Sequence, residues 1–140
     1  MNPFRVLIVD DETDFLNILV KRLTKRGITV FRAENGMDAL ELLEKEAIDV
    51  VVLDVRMPGM DGIQTLRAIK EKDAGTEVIM LTGHANIEVA VRGMELGAFD
   101  YLMKPMNMDE LVFKLQDAYQ ARILKQKKGH ENAAAAGHDL

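Results

Sequence analysis

Three observations predict an α/β fold in which a parallel sheet lies between two layers of helices. Five short aliphatic or β-branched runs recur at similar intervals, segments with helical apolar spacing separate them, and helix-starting and helix-stopping residues fall at the joints. Strict alternation of strand and helix gives a parallel sheet covered on both faces, because right-handed crossovers lay each helix against the sheet it has just left.

The first run, residues 5–9, is too short for a helix and reads as a buried strand. Phe15, Ile18, Leu19 and Leu23 follow at helical spacing, and Gly27 stands where that helix should end. Residues 28–32 make the second strand, after which Asn35 can cap a helix carrying Ala39, Leu40 and Leu43. Residues 50–53 are the third strand. Asp61 and Gln64 then have capping-box spacing ahead of Ile63, Leu66 and Ile69. The fourth strand is 78–81, Gly97 ends the next helix, and 101–103 is the fifth strand. Asn107 and Glu110 repeat the capping-box spacing before Leu111, Leu115, Ala118, Arg122 and Ile123. Leu111 and Leu115 should pack on the sheet, whereas Tyr119 and Ile123 are open to other uses. The best match is a flavodoxin-like three-layer (βα)5 sandwich with strand order 2-1-3-4-5. Beyond Leu124 the chain turns to Lys, Gln, Gly and the run Ala133 to Ala136, with almost nothing to bury. Residues 1–124 are therefore expected to form the domain, and 125–140 a helix end and flexible tail.

Composition narrows the function. The chain has 140 residues and a net charge of -5, with no basic run long enough to follow a phosphate backbone, so direct nucleic-acid binding is not expected. The absence of cysteine excludes disulfide scaffolds, thiolate metal sites and thiol catalysis, and fits a cytoplasmic protein. No aliphatic run approaches the roughly 20 residues of a membrane span, and no signal peptide or anchor is expected.

In open parallel sheets ligands bind beyond the carboxyl ends of the strands, where the strand order reverses. Strand one ends in Asp10, Asp11 and Glu12, strand three in Asp54, strand four in Thr82, and strand five in Lys104 and Pro105. Crowded carboxylates repel one another unless a cation sits among them, and an oxygen-only donor set suits Mg2+. Lys104 could neutralise a phosphoryl oxygen and Thr82 could donate a hydrogen bond to one, leaving Asp54 on the central strand as the nucleophile. Any one of these residues could instead be a helix cap, a turn former or a solvated lysine. Four strand ends carrying complementary phosphoryl chemistry together are not explained that way.

The chain resembles the response-regulator receiver domains of two-component signalling. The resemblance rests on Val6-Leu7-Ile8-Val9-Asp10-Asp11-Glu12, on Val52-Leu53-Asp54-Val55-Arg56-Met57-Pro58-Gly59-Met60-Asp61-Gly62, on Leu81-Thr82-Gly83-His84-Ala85 and on Asp100-Tyr101-Leu102-Met103-Lys104-Pro105, and it covers roughly residues 4–124. It implies that Asp54 accepts a phosphoryl group, and that Asp10, Asp11, Asp54 and the main-chain carbonyl of Arg56 hold Mg2+. Thr82 and Tyr101 would be the switch pair, Lys104 the phosphate-contacting lysine, and Pro105 the proline of a cis peptide. The implied partners are a sensor histidine kinase or phosphotransfer protein, and then a second copy of the chain or a downstream effector or output domain. These would be met on the surface of the fourth helix, fifth strand and fifth helix. Such a protein is a signalling switch that catalyses only its own phosphorylation and dephosphorylation.

Arg56 and His84, each two positions beyond a motif residue, should overhang the site, where the family tunes the lifetime of the phosphoryl group; solvated loop side chains are the competing reading. Met57 and Met60 flank the same loop and could add to a partner surface. Leu81-Thr82-Gly83-His84 is similar to receivers attached to transcriptional activators, yet no DNA-binding domain follows in this chain, so a single-domain regulator and a piece of a longer one both fit. Two other classes fit these residues less well. A haloacid-dehalogenase-like phosphatase wants an acid two residues past its nucleophile, where Arg56 stands, and a flavodoxin wants a Gly, Ser and Thr-rich phosphate loop where Asp10-Asp11-Glu12 would repel the phosphate.

Overall fold

The computed structural model describes residues 4–56 and 61–138. Among them, five strands form one parallel sheet in the order β2-β1-β3-β4-β5. They are β1 (Arg5–Val9), β2 (Thr29–Ala33), β3 (Val50–Asp54), β4 (Glu77–Thr82) and β5 (Asp100–Met103). The helices between and after them are α1 (Thr13–Lys25), α2 (Gly36–Lys45), α3 (Gly62–Lys72), α4 (Ile87–Glu95) and α5 (Met108–His138). The predicted flavodoxin-like sandwich and its strand order are both present.

The two faces of the sheet carry separate cores because strand side chains alternate sides. Val6, Ile8, Val50, Val52, Ile79 and Leu81 face α1 and α5, where Leu16, Leu19, Leu23, Leu111 and Leu115 meet them. Leu7, Val9, Val51, Leu53, Val78 and Met80 face the opposite side with Ala39, Leu66 and Ile69. β3 is buried at every position, so the central strand gives a firmly packed support to whatever sits at its end.

The joints follow their chemistry. Asp61 accepts from the Gln64 backbone N–H at 2.8 Å while the Gln64 side chain accepts from the Asp61 N–H, a complete capping box. Asn35 caps α2 through the Asp38 N–H. Gly27 and Gly97 end helices at φ +82° and +105°, a region that excludes most side chains.

Two expectations differ from the structure. Ile18 is 52% exposed, because α1 starts at Thr13 and buries the stripe Leu16, Leu19 and Leu23, which leaves position 18 on the other side. Where the sequence predicts a helix end and flexible tail over 125–140, α5 is helical through His138, since the Lys, Gln and Ala of that stretch are strong helix formers even without apolar surface to bury. The loop residues Met57 and Met60 lie outside the described residues.

Candidate functional site

Strand register brings the carboxyl-end residues together. Val9 pairs with Leu53, so Asp10 comes one rung on, beside Asp54. Asp54 pairs with Leu81, which sets Thr82 just beyond it, and Thr82 pairs with Met103, which sets Lys104 beyond that. The Lys104 backbone N–H donates to the Thr82 carbonyl at 2.8 Å and the Val55 N–H to the Leu81 carbonyl at 3.0 Å, locking these ends side by side. The Lys104–Pro105 peptide is cis.

The result is a cavity of about 280 Å³ at the reversal point of strand order, lined by Asp11, Glu12, Asp54, Arg56, Gly83, Asn86 and Lys104. Asp10 is fully buried at its base, one oxygen accepting from the Glu12 N–H at 2.9 Å and the other from Lys104 Nζ at 2.8 Å. Lys104 Nζ also lies 3.3 Å from Glu12 and 3.7 Å from Asp54. Carboxylate oxygens of Asp10, Glu12 and Asp54 fall within 4.8 Å of one another, a hard-oxygen grouping that fits a divalent cation such as Mg2+.

Electrostatics follow from this crowding. Burial, above all, raises the Asp54 carboxyl from its ordinary 3.8 to about 6; the charges of Asp10 and Asp11 add to it, while the Arg56 N–H at 3.1 Å and Lys104 oppose it. For Lys104 burial works against the ammonium, but the Asp10 hydrogen bond and the charges of Asp54, Asp10 and Glu12 outweigh it and push the pKa above the ordinary 10.5.

The expected residues are distributed unevenly. Asp10, Asp54 and Lys104 meet directly. Asp11 lines the cavity and its charge reaches Asp54, but Glu12 takes the third place in the carboxylate group. Arg56 is exposed on the cavity wall. Thr82 is fully buried and its hydroxyl donates to the Gly83 carbonyl at 3.0 Å. Tyr101 is half-buried against the face of the sheet that packs on α2 and α3. His84 opens a 3-10 turn (His84–Asn86), and its side chain lies outside the described atoms. That turn carries Asn86 into the cavity wall, which no spacing in the sequence announced; Glu12 stood in the acidic run but was not singled out as a ligand.

Fold and site together define a doubly wound α/β domain whose acidic, lysine-braced cavity surrounds one carboxylate at the end of the central strand. Residues 6–116 match the family model described as response regulator receiver domain, and the chain belongs to that family. It is 39% identical over 130 residues to the regulatory protein AtoC of Escherichia coli (strain K12), covering 93% of this chain and 28% of that protein. It is 40% identical over 113 residues to the DNA-binding transcriptional regulator NtrC of the same strain, covering 81% and 24%. The crystal structure of the receiver domain of NtrX from Brucella abortus aligns with a TM-score of 0.79 at 32% identity, covering 82% of this chain and 98% of that one. The chain spans about a quarter of the length of these curated relatives. Among the described residues no helix is long and apolar enough to cross a membrane.

Proposed function

We propose that this domain takes a phosphoryl group from the phosphohistidine of a sensor histidine kinase or phosphotransfer protein onto Asp54. One Asp54 carboxylate oxygen attacks phosphorus, the P–N bond breaks, and the histidine nitrogen keeps the electron pair, leaving an acyl phosphate on Asp54. The observation that carries this reading is the Asp54 carboxylate itself, held at the end of a fully buried strand, in an acidic cavity, 3.7 Å from a lysine ammonium. Asp10, Asp11 and Asp54, with the Arg56 carbonyl, are the proposed Mg2+ ligands, and the carboxylate grouping adds Glu12 to that set. Mg2+, when bound, supplies positive charge against the phosphoryl oxygens. Lys104 neutralises one of those oxygens, and the Thr82 hydroxyl exchanges the Gly83 carbonyl for another.

Moving that hydroxyl opens space behind Thr82 for Tyr101, which changes the surface of α4, β5 and α5 and favours a second copy of the chain or a downstream effector or output domain. Arg56 and His84 set how long the acyl phosphate lasts. The protein is a cytoplasmic signalling switch rather than an enzyme with a turnover substrate. Its receiver unit is residues 1–124, and residues after about 128 contribute little to self-association. Incubation with Mg2+ and a small phosphodonor, followed by mass-spectrometric mapping, should place the label on Asp54 alone; undiminished label in Asp54→Ala overturns the assignment.

A further inference from the structure

Lys104 has one contact that its chemistry with carboxylates does not explain. Its Nζ stands over the Phe15 ring, 4.4 Å from the centroid, on a side chain that is only 21% exposed. The ring owes its place to where α1 starts. Thr13 is the first helical residue, and helical side chains lean toward the N-terminus, so a residue in the first turn reaches back over the end of β1. Phe15 is half-buried, with part of the ring against the core shared by α1 and α5. The ammonium therefore lies between three carboxylates, at 2.8, 3.3 and 3.7 Å, and the negative face of a ring.

The two kinds of contact respond differently to the chemistry proposed above. A divalent cation among Asp10, Glu12 and Asp54 competes with Lys104 for the same oxygens and repels it; phosphorylation then converts Asp54 from a partner of the ammonium into the carrier of a new one. The ring is neutral and keeps its attraction throughout. We propose that Phe15 is the positioning residue for Lys104, holding the ammonium at the mouth of the cavity while its carboxylate partners are exchanged. This rests on the receiver reading for its role in phosphoryl uptake, but the placement of Lys104 does not depend on that reading.

The test separates the two. In lysine side-chain NMR of the full chain without phosphodonor, the Lys104 ε-methylene should show a ring-current upfield shift that persists when Mg2+ is added. Phe15→Leu, which keeps apolar volume, should abolish the shift, and Phe15→Tyr, which keeps a ring, should retain it. With a small phosphodonor, Asp54 labelling should slow about 2- to 5-fold in Phe15→Leu and recover in Phe15→Tyr. A wild-type protein without the shift, a shift that vanishes with Mg2+, or unslowed labelling in Phe15→Leu overturns the inference. Failure of the wild type to label counts against the receiver reading, while the spectra still decide whether the ring holds the ammonium.

Discussion

Replacing Asp54 with Asn should stabilise the metal-free protein, although it removes the proposed phosphoacceptor. The side chain is buried beside Asp10 and Asp11, and its carboxyl titrates near 6 rather than at the ordinary 3.8. Each unit of such a displacement corresponds to about 1.4 kcal/mol, so the ionised group costs the fold about 3 kcal/mol at neutral pH. Asn removes that charge yet can still accept the Arg56 N–H now bonded to Oδ1 at 3.1 Å. The sign follows from proton counting: between about 4 and 6 the folded wild type binds more protons than the unfolded chain, so its stability falls as pH rises through that window. Below about 4 both states are protonated and the advantage of Asn should disappear. Urea unfolding of both proteins in EDTA at pH 4, 5, 6 and 7 measures this directly. The gap should open with pH toward about 3 kcal/mol, and Mg2+ should close it by stabilising the wild type more than the variant. Equal stability at pH 7, or a gap that does not depend on pH, would refute the claim that burial beside other carboxylates destabilises the ionised group.

Three further outcomes are expected. A Cβ at Gly62 would lie 2.7 Å from Val55 Cα and 3.0 Å from the Asp54 carbonyl, so Gly62→Ala should force α3 away from the end of β3 and cost about 1–3 kcal/mol, read from the urea midpoint. Burial works against the Asp73 carboxylate, but the Gly75 N–H, the charge and hydrogen bond of Arg122, and Thr76 together hold its pKa below 3.8. Its contribution is present above about 4 and lost in acid, so Asp73→Asn should cost under about 1 kcal/mol at pH 7 and less as the pH falls below about 4, checked by thermal melts. Light scattering with and without beryllofluoride, on the full chain and on a chain ending near Lys128, should show a phosphoryl-dependent rise in mass in both; no change removes the homodimer in favour of a separate partner.

How legible the molecule was depends on the range of the interactions involved. Strands such as 50–53 and caps such as Asp61–Gln64 are specified by neighbours in the chain, and their sites in the structure agree with the sequence pattern to within a residue or two. Asp10, Asp54 and Lys104 could be grouped because parallel topology forces strand ends to one edge. Topology brings Glu12 to the same edge, but that it rather than Asp11 completes the carboxylate group depends on the local path after β1, and the approach of Asn86 depends on a single 3-10 turn after β4. Phe15 read as core because an aromatic at helical spacing has the same signature whether or not a cation rests on its outer face. The length of the helix beyond residue 124 is not legible because apolar periodicity detects packing, and that segment is helical by backbone propensity instead.

The continuation of α5 gives Arg122 a mechanical meaning. Its guanidinium bonds Asp49 at 3.1 Å, just ahead of β3, and Asp73 at 3.3 Å, in the turn before β4, so the helix is pinned at the edge of the sheet opposite the proposed phosphorylation site. Lys125 adds a second fastening to the buried Glu77 at 2.9 Å. Residues 125–138 then run on for about 20 Å at 1.5 Å per residue. Those ion pairs act as a fulcrum: a tilt of roughly 5° about Arg122 displaces the far end of such a lever by about 2 Å. A small tilt of α5 on the sheet would thereby become a larger displacement at the far end of the helix.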